Sequence, residues 1–269
     1  MLKYRSVFIS DIHLGTRGCN AEYLLDFLHH TDSDYLYLVG DIIDLWNVGS
    51  RWYWPPLHSQ IVRAVMDKAQ SGTRVIYIPG NHDELIRNHT GLDISGVEIQ
   101  LQATHETADG RRFLILHGDE FDGVVCNNKW LAHLGSGAYD LLLVLNRWFN
   151  VVRRQLGFPY WSLSAYLKYK VKNAVNFVAA FESALQKAAH DKAMDGVVCG
   201  HIHRAAHTPV NARFTYCNCG DWVESCTALV EDAAGQLSII DWPKQSFDLL
   251  SRYEKIEDPA DQRRLETAN

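Results

Sequence analysis

The sequence lacks the features that mark a membrane-spanning, secreted or nucleic-acid-binding protein. Its longest aliphatic run near the middle, residues 141–145, is far shorter than the ~20 residues that a membrane-spanning helix needs. No secretory signal precedes the first strand-like segment, residues 6–10. The net charge of −6 has the opposite sign to that of a general polyanion binder. We therefore expect a cytoplasmic protein without a nucleic-acid partner.

Cysteine is sparse and scattered. The six cysteines form no paired C-x-x-C clusters, so the sequence predicts free thiols in a reducing compartment rather than a structural zinc site. The composition, 47% hydrophobic and 22% charged residues, is ordinary for a folded protein. At 269 residues, the chain is long enough for one large α/β domain or for a domain with a sizeable insertion.

Strand-like runs alternate with amphipathic helical stretches through much of the chain. This alternation predicts an α/β fold whose strands are buried in a sheet. The predicted strands are residues 7–9, 35–39, 74–78, 112–116 and 196–199, and the helices between the first three are 22–29 and 57–70. Each strand is followed at once by polar residues. Because the carboxyl ends of strands in such sheets carry the chemistry, several chain segments can contribute to one site.

One segment differs from the rest. Residues 122–186 are rich in aromatic side chains and contain seven Lys or Arg against three Asp or Glu. Their pattern predicts helices over 139–152 and 166–188. We therefore expect a main domain of residues 1–121 and 187–250, a helical cap or insertion of residues 122–186, and a charged, mobile tail of residues 251–269.

The polar residues after the predicted strands form five short motifs. In chain order they are Asp11-Ile12-His13, Gly40-Asp41-Ile42-Ile43-Asp44, Gly80-Asn81-His82-Asp83, His117-Gly118-Asp119 and Gly200-His201-Ile202-His203. Each motif alone is weak, but all five in this order are specific. If the chain is extended there, Asp11 and His13 face one centre, and so do His201 and His203. The glycines allow the sharp turns and close approaches that ligand loops need.

Carboxylate, amide and imidazole donors without a thiolate suit a hard or borderline divalent cation such as manganese, iron or zinc. The seven candidate ligands are Asp11, His13, Asp41, Asn81, His117, His201 and His203. They are too many for one ion that keeps an open position, but they suffice for two ions that share a carboxylate. Two such ions clamp a phosphoryl group. We expect two divalent cations, with manganese as the native metal, and we expect Asp44 and Asp83 to orient ligands or turns.

These motifs together resemble the calcineurin-like metallophosphoesterase superfamily, whose full pattern is present over residues 11–203. The resemblance implies a four-layer α/β/β/α sandwich. It implies that Asp41 bridges two metal ions. One ion would be held by Asp11, His13, Asp41 and His203, and the other by Asp41, Asn81, His117 and His201. The resemblance also implies a catalytic role for His82, which would steady the phosphate or protonate the leaving oxygen.

A narrower resemblance is to the UDP-2,3-diacylglucosamine pyrophosphatases of lipid A synthesis and their relatives. The shared features include Trp46 after the Gly-Asp motif, the helical insertion, and the stretch 218–225. The resemblance implies release of UMP and 2,3-diacylglucosamine 1-phosphate by a cytoplasmic enzyme that works peripherally at the inner face of the inner membrane. The best-known branch of this group has arginine where this chain has His82, which indicates a second branch or a relative of altered specificity.

Substrate contacts are expected both at the centre and in the insertion. Asn81, His82 and His201 would contact the phosphate. Lys168 and Lys172 lie four residues apart on one face of a predicted helix, where they could contact the diphosphate or sugar. Asp122 could contact the uracil or glucosamine. A solvated surface role for Lys168, Lys172 and Asp122 is the alternative.

Two other functions stay open at this point. The first is a phosphodiesterase or phosphatase acting on a soluble substrate, such as a cyclic nucleotide, with the insertion merely structural. The second is a non-catalytic scaffold, which has no need for every ligand. The sequence leaves the oligomeric state open.

Overall fold

The computed structural model describes residues 1–46, 52–122, 163–211 and 213–247, and in the helix that begins at residue 163 it describes side chains from residue 177 onward. The chain divides into two compact units: Met1–Asp119 with the chain from Ala188 onward, and Glu120–Lys187. Among the described residues, no helix combines the length and apolar character required to span a bilayer.

The first unit contains two β-sheets. The strands are β1 (Leu2–Ile9), β2 (Thr31–Val39), β3 (Arg74–Ile78), β4 (Asp93–Ile94), β5 (Val97–Ile99), β6 (Ala103–Glu106), β7 (Arg112–Ile115), β8 (Gly196–Cys199), β9 (Ala206–Asn211), β10 (Phe214–Asn218), β11 (Thr227–Glu231) and β12 (Leu237–Asp241). The seven-stranded sheet has the order β12-β11-β1-β2-β3-β5-β4, and the five-stranded sheet has the order β6-β7-β8-β10-β9.

Parallel strands occupy the middle of both sheets. β1, β2, β3 and β5 pair in parallel in the larger sheet, and β7, β8 and β10 pair in parallel in the smaller one. The outer pairs, β11 with β1 and with β12, β4 with β5, β6 with β7, and β9 with β10, are antiparallel. Consequently, the carboxyl ends of β1, β2 and β3 lie at one edge of the larger sheet, and those of β7 and β8 lie at one edge of the smaller.

Two apolar layers follow from the alternation of side chains along the central strands. On β2, Leu36 and Leu38 pack in one cluster, whereas Tyr37 and Val39 pack in another. The second cluster also contains Phe113 and other buried residues of the smaller sheet, so it fills the space between the sheets. The strands are buried on both faces, which explains their nearly continuous apolar runs.

The first apolar layer holds the helices α1 (Ala21–His30) and α2 (Pro56–Gln70) against the larger sheet. In α2, Ile61, Ala64 and Val65 are the buried positions at helical spacing. Proline is the first residue of α2, where its missing N–H costs no helical hydrogen bond. The helix, sheet and sheet layers confirm the predicted α/β sandwich.

The helix α3 (Leu163–Asp191) agrees with the helix predicted over 166–188 and lies mostly in the second unit. The helix predicted over 139–152 and the tail of residues 251–269 lie outside the described residues. The division into a main domain and a cap stays a prediction.

Candidate metal centre

Five strand ends bring the predicted ligands together in the first unit. Asp11, Asp41 and Asn81 follow β1, β2 and β3, the three neighbouring parallel strands of the larger sheet. His117 follows β7, and His201 and His203 follow β8 of the smaller sheet. Because the two sheets stack on a shared apolar layer, their carboxyl ends meet.

The backbone that presents these side chains is not extended. Asp11 and His13 have φ angles of 52° and 55°, and His201 and His203 have 71° and 52°. The expectation that an extended chain aims each pair at one centre is therefore wrong. Left-handed residues at alternate positions aim them instead, a conformation that non-glycine residues rarely adopt and that is typical of functional sites.

Two of the glycines before the ligands permit close approaches, as expected. Gly40 has a φ of +79°, and a Cβ there would overlap the His117 ring. At Gly200, a Cβ would lie 2.5 Å from Asp11 Oδ2. Any side chain at either position would therefore displace a predicted ligand.

The donor atoms form three overlapping clusters, in each of which one atom per residue lies within 4.8 Å of the others. The clusters are Asp11, His13 and His203; His13, Asp41 and His82; and Asp41, His117 and His201. Individual distances include 3.3 Å between His203 Nε2 and Asp11 Oδ1 and 3.5 Å between His117 Nε2 and Asp41 Oδ2. Asp41 belongs to two clusters, which is the arrangement that a carboxylate shared between two ions needs.

Four buried polar atoms in this cluster have no hydrogen-bond partner. They are Asp11 Oδ1, His13 Nε2, Asn81 Oδ1 and His117 Nε2. A buried polar atom without a partner is costly, so native proteins nearly always satisfy such atoms. All four belong to predicted ligands, and all four are oxygen or nitrogen donors suited to a divalent cation. The residues present therefore fit a bound metal.

Neighbouring groups orient the ligands. His117 Nδ1 donates to the Val39 carbonyl at 2.9 Å, which leaves Nε2 for the centre. Burial would lower the pKa of His117, but Asp41 raises it to about 10. Burial would likewise raise the pKa of Asp41, but His117 holds that carboxyl well below its usual range. The metal-free pair is thus an imidazolium and a carboxylate, and metal uptake must release the His117 proton.

His82 lies beside the predicted ligands with three neighbours of its own. Its Nδ1 is 2.9 Å from Asp44 Oδ2, its ring stacks on Trp46 at 3.8 Å between centroids, and its edge meets His13 at 4.6 Å. Burial lowers the pKa of His82. Asp44 also lies 3.5 Å from His13 Nδ1, so this carboxylate orients two histidines, as the sequence predicts.

Asp221 is a neighbour of the centre that the sequence analysis missed. Its Oδ2 lies 3.9 Å from His203 Nδ1, while its Oδ1 accepts backbone hydrogen bonds from Val223, Glu224 and Ser225. It follows β10 as part of a Gly-Asp pair, like Asp41 after β2. That repeated pattern was the available signal.

The substrate contacts predicted outside the centre remain untested. Asp122 lies in the second compact unit, and the side chains of Lys168 and Lys172 are outside the described part of α3. The roles of these three residues stay predictions.

A sequence profile of calcineurin-like phosphoesterases matches residues 4–205. The chain belongs to this family. It is therefore a metal-dependent phosphoesterase, and the fold expected from the motifs is confirmed. Members of the family use divalent cations, in agreement with the clustered donors of this centre.

Relatives with named activities are more distant. A UDP-2,3-diacylglucosamine hydrolase from Blochmanniella pennsylvanica is 27% identical over 74% of this chain and 79% of its own length. One from Xanthomonas campestris pv. campestris is 28% identical over 86% of this chain and 96% of its own. Among solved structures, the phosphoesterase Yfce from E. coli is 14% identical, with a TM-score of 0.38 over 88% of this chain and 98% of that one.

Proposed function

We propose that the chain hydrolyses the pyrophosphate of UDP-2,3-diacylglucosamine to UMP and 2,3-diacylglucosamine 1-phosphate, with two Mn²⁺ ions. The observation that carries the phosphoester chemistry is the set of four buried, unpartnered donor atoms aimed into one cluster. The relatives named UDP-2,3-diacylglucosamine hydrolase support the substrate.

The ligand assignment follows the donor clusters. One ion would be held by Asp11, His13, Asp41 and His203, and the other by Asp41, Asn81, His117 and His201. When bound, the ions would polarise the phosphoryl oxygens and lower the pKa of the attacking water. The protein holds the donors in place before the metal arrives, since Asp11 Oδ2 accepts the His201 N–H at 3.0 Å and Asp41 Oδ1 accepts the His82 N–H at 2.8 Å.

His82 is the proposed proton donor to the leaving oxygen. Asp44 occupies its Nδ1, so Nε2 is the ring nitrogen available to a substrate oxygen. Trp46 packs against the ring face and restricts the ring to this orientation. A positioned histidine of this kind suits general acid catalysis.

The proposed substrate has a lipid part, which the sequence of the insertion supports. Residues 122–186 combine many aromatic side chains with a positive charge balance. Apolar area beside basic side chains suits an amphiphilic anion, with acyl chains against the former and phosphates against the latter. We propose that the enzyme is cytoplasmic and peripheral to the inner face of the inner membrane, where such a substrate resides.

The test is a substrate panel with Mn²⁺, measuring UMP release from UDP-2,3-diacylglucosamine and from its deacylated analogue. We expect efficient hydrolysis of the first and little of the second, and no hydrolysis of either by Asp41→Ala. Equal rates on both substrates would contradict the lipid assignment and favour a phosphodiesterase for soluble nucleotides. Absence of hydrolysis on every phosphoester tested would leave only a scaffold.

A further inference from the structure

Asp83 is a fully buried carboxylate that touches no predicted ligand side chain. Its Oδ1 accepts backbone N–H groups from Gly80 at 2.5 Å and Asp41 at 3.3 Å. Its Oδ2 accepts those of Ile42 at 2.8 Å and Ile43 at 3.3 Å. Both oxygens are therefore saturated by backbone donors, with one further donor described below.

These backbone donors belong to two different loops. Gly80 directly precedes Asn81 in the loop after β3, whereas residues 41–43 form the loop after β2. A single carboxylate therefore joins the loop that presents Asn81 to the loop that presents Asp41. Asp41 has a left-handed φ of 54°, a conformation that persists only where surrounding contacts hold it.

Tyr77 supplies the fifth hydrogen bond. Its hydroxyl donates to Asp83 Oδ2 at 2.5 Å, and it is the one side-chain donor to this carboxylate among the described residues. The Tyr77 ring lines an apolar cavity of about 260 Å³ together with aliphatic residues that include Ile9, Ile12 and Ile42. Because an apolar cavity stays dry, no water is available there to replace the hydroxyl.

We propose that Tyr77 and Asp83 are positioning residues that set the affinity of the centre for divalent cations. The Tyr77 hydroxyl holds the Asp83 carboxylate in the one rotamer that binds both loops. The carboxylate in turn fixes Asp41 relative to Asn81. This inference rests on the proposed metal centre, in which those two residues ligate the same ion.

The test is Tyr77→Phe, which removes the hydroxyl and keeps the ring. Mn²⁺ is titrated into the metal-stripped, full-length protein by calorimetry. Loss of a partner that orients a ligand lowers metal affinity by about 10- to 100-fold; because Tyr77 acts through Asp83, we expect about tenfold. Excess Mn²⁺ should restore hydrolysis to the wild-type rate, which a general loss of structure would not allow.

Tyr37→Phe is the matched control. Tyr37 is also buried on a central strand, and its hydroxyl lies 3.1 Å from His105 Nδ1, between the sheets. It should lose comparable stability towards urea without a change in Mn²⁺ affinity. Equal Mn²⁺ affinities in Tyr77→Phe and the wild type, or equal losses in both variants, would overturn the proposal. Failure of the wild type to bind Mn²⁺ would instead disprove the metal centre itself.

A second variant tests the carboxylate. Asp83→Asn replaces one acceptor oxygen by an NH₂ group, which would face N–H donors. We expect a loss of Mn²⁺ affinity at least as large as that of Tyr77→Phe. A wild-type affinity in this variant would also overturn the proposal.

Discussion

At the scale of single residues, His82 poses the sharpest question about the centre. It shares a donor cluster with His13 and Asp41, so geometry alone would allow it to ligate a metal. Its Nδ1, however, is engaged by Asp44, and the ring is packed against Trp46. These contacts orient the ring for proton transfer.

We therefore expect His82→Ala to keep both metal ions and to lose kcat by about 10²- to 10⁴-fold, the usual contribution of a general acid. Metal content after gel filtration and steady-state rates would be measured together. His89→Ala, at an exposed histidine in the next short helix, is the control and should change neither quantity. Loss of metal from His82→Ala would make that residue a ligand.

The identities of the candidate ligands could be predicted from sequence, because motifs such as Asp11-Ile12-His13 each follow a recognisable apolar run. Their backbone conformation could not. A left-handed φ at Asp11 or His201 depends on contacts with other loops, such as the Asp11 N–H to the Gly40 carbonyl at 3.0 Å. Asp221 was missed for a similar reason, since its distance to His203 depends on how β8 and β10 pair.

At the scale of elements, buried strands were predictable and edge strands were not. β3 and β8 have the predicted bounds, because a central parallel strand is apolar on both faces. β4, β6 and β9 were missed, and all three lie at sheet edges. β9 is mostly exposed and contains Pro209, which an edge strand tolerates. Nothing in such a segment distinguishes it locally from a loop.

The turn after β3 offers a prediction at this scale. A Cβ at Gly80 would overlap Asp41 Oδ1, the carboxylate proposed to bridge the ions. Gly80→Ala should therefore reduce Mn²⁺ affinity at least tenfold and destabilise the fold by about 1–3 kcal/mol, the usual cost of overpacking. Calorimetric titration and urea unfolding measure the two effects. Gly18→Ala, whose Cβ would meet Val223 at 3.4 Å, is the control; wild-type affinity in Gly80→Ala would contradict the geometry of the centre.

At the scale of the whole molecule, a buried polar network joins the two sheets. Glu231 of β11, fully buried, accepts hydrogen bonds from Ser6 at 2.6 Å and Arg5 at 2.9 Å within the larger sheet. It also contacts His105 of β6 at 2.7 Å and accepts the Ala108 N–H at 2.8 Å. Glu231 thus connects the sheets whose strand ends form the centre.

This network should make the fold sensitive to acid. Burial would raise the pKa of Glu231, but hydrogen bonds from His105, Ser6 and Ala108 lower it from 4.5 to about 2. A lowered pKa stabilises the folded state above pH 4.5, and that stability is lost as the pH falls towards 2. The shift corresponds to about 3 kcal/mol.

Glu231→Gln should accordingly be less stable than the wild type at pH 7, with a difference in unfolding free energy that shrinks between pH 4.5 and 2. Urea unfolding of both proteins at pH 7, 4 and 3 measures it. Glu98→Gln removes an ion pair with Arg74 that is partly exposed on both sides, so it should change stability by less than about 1 kcal/mol. A constant difference at all three pH values would show that Glu231 stabilises the fold through packing, and that its charge does not join the sheets.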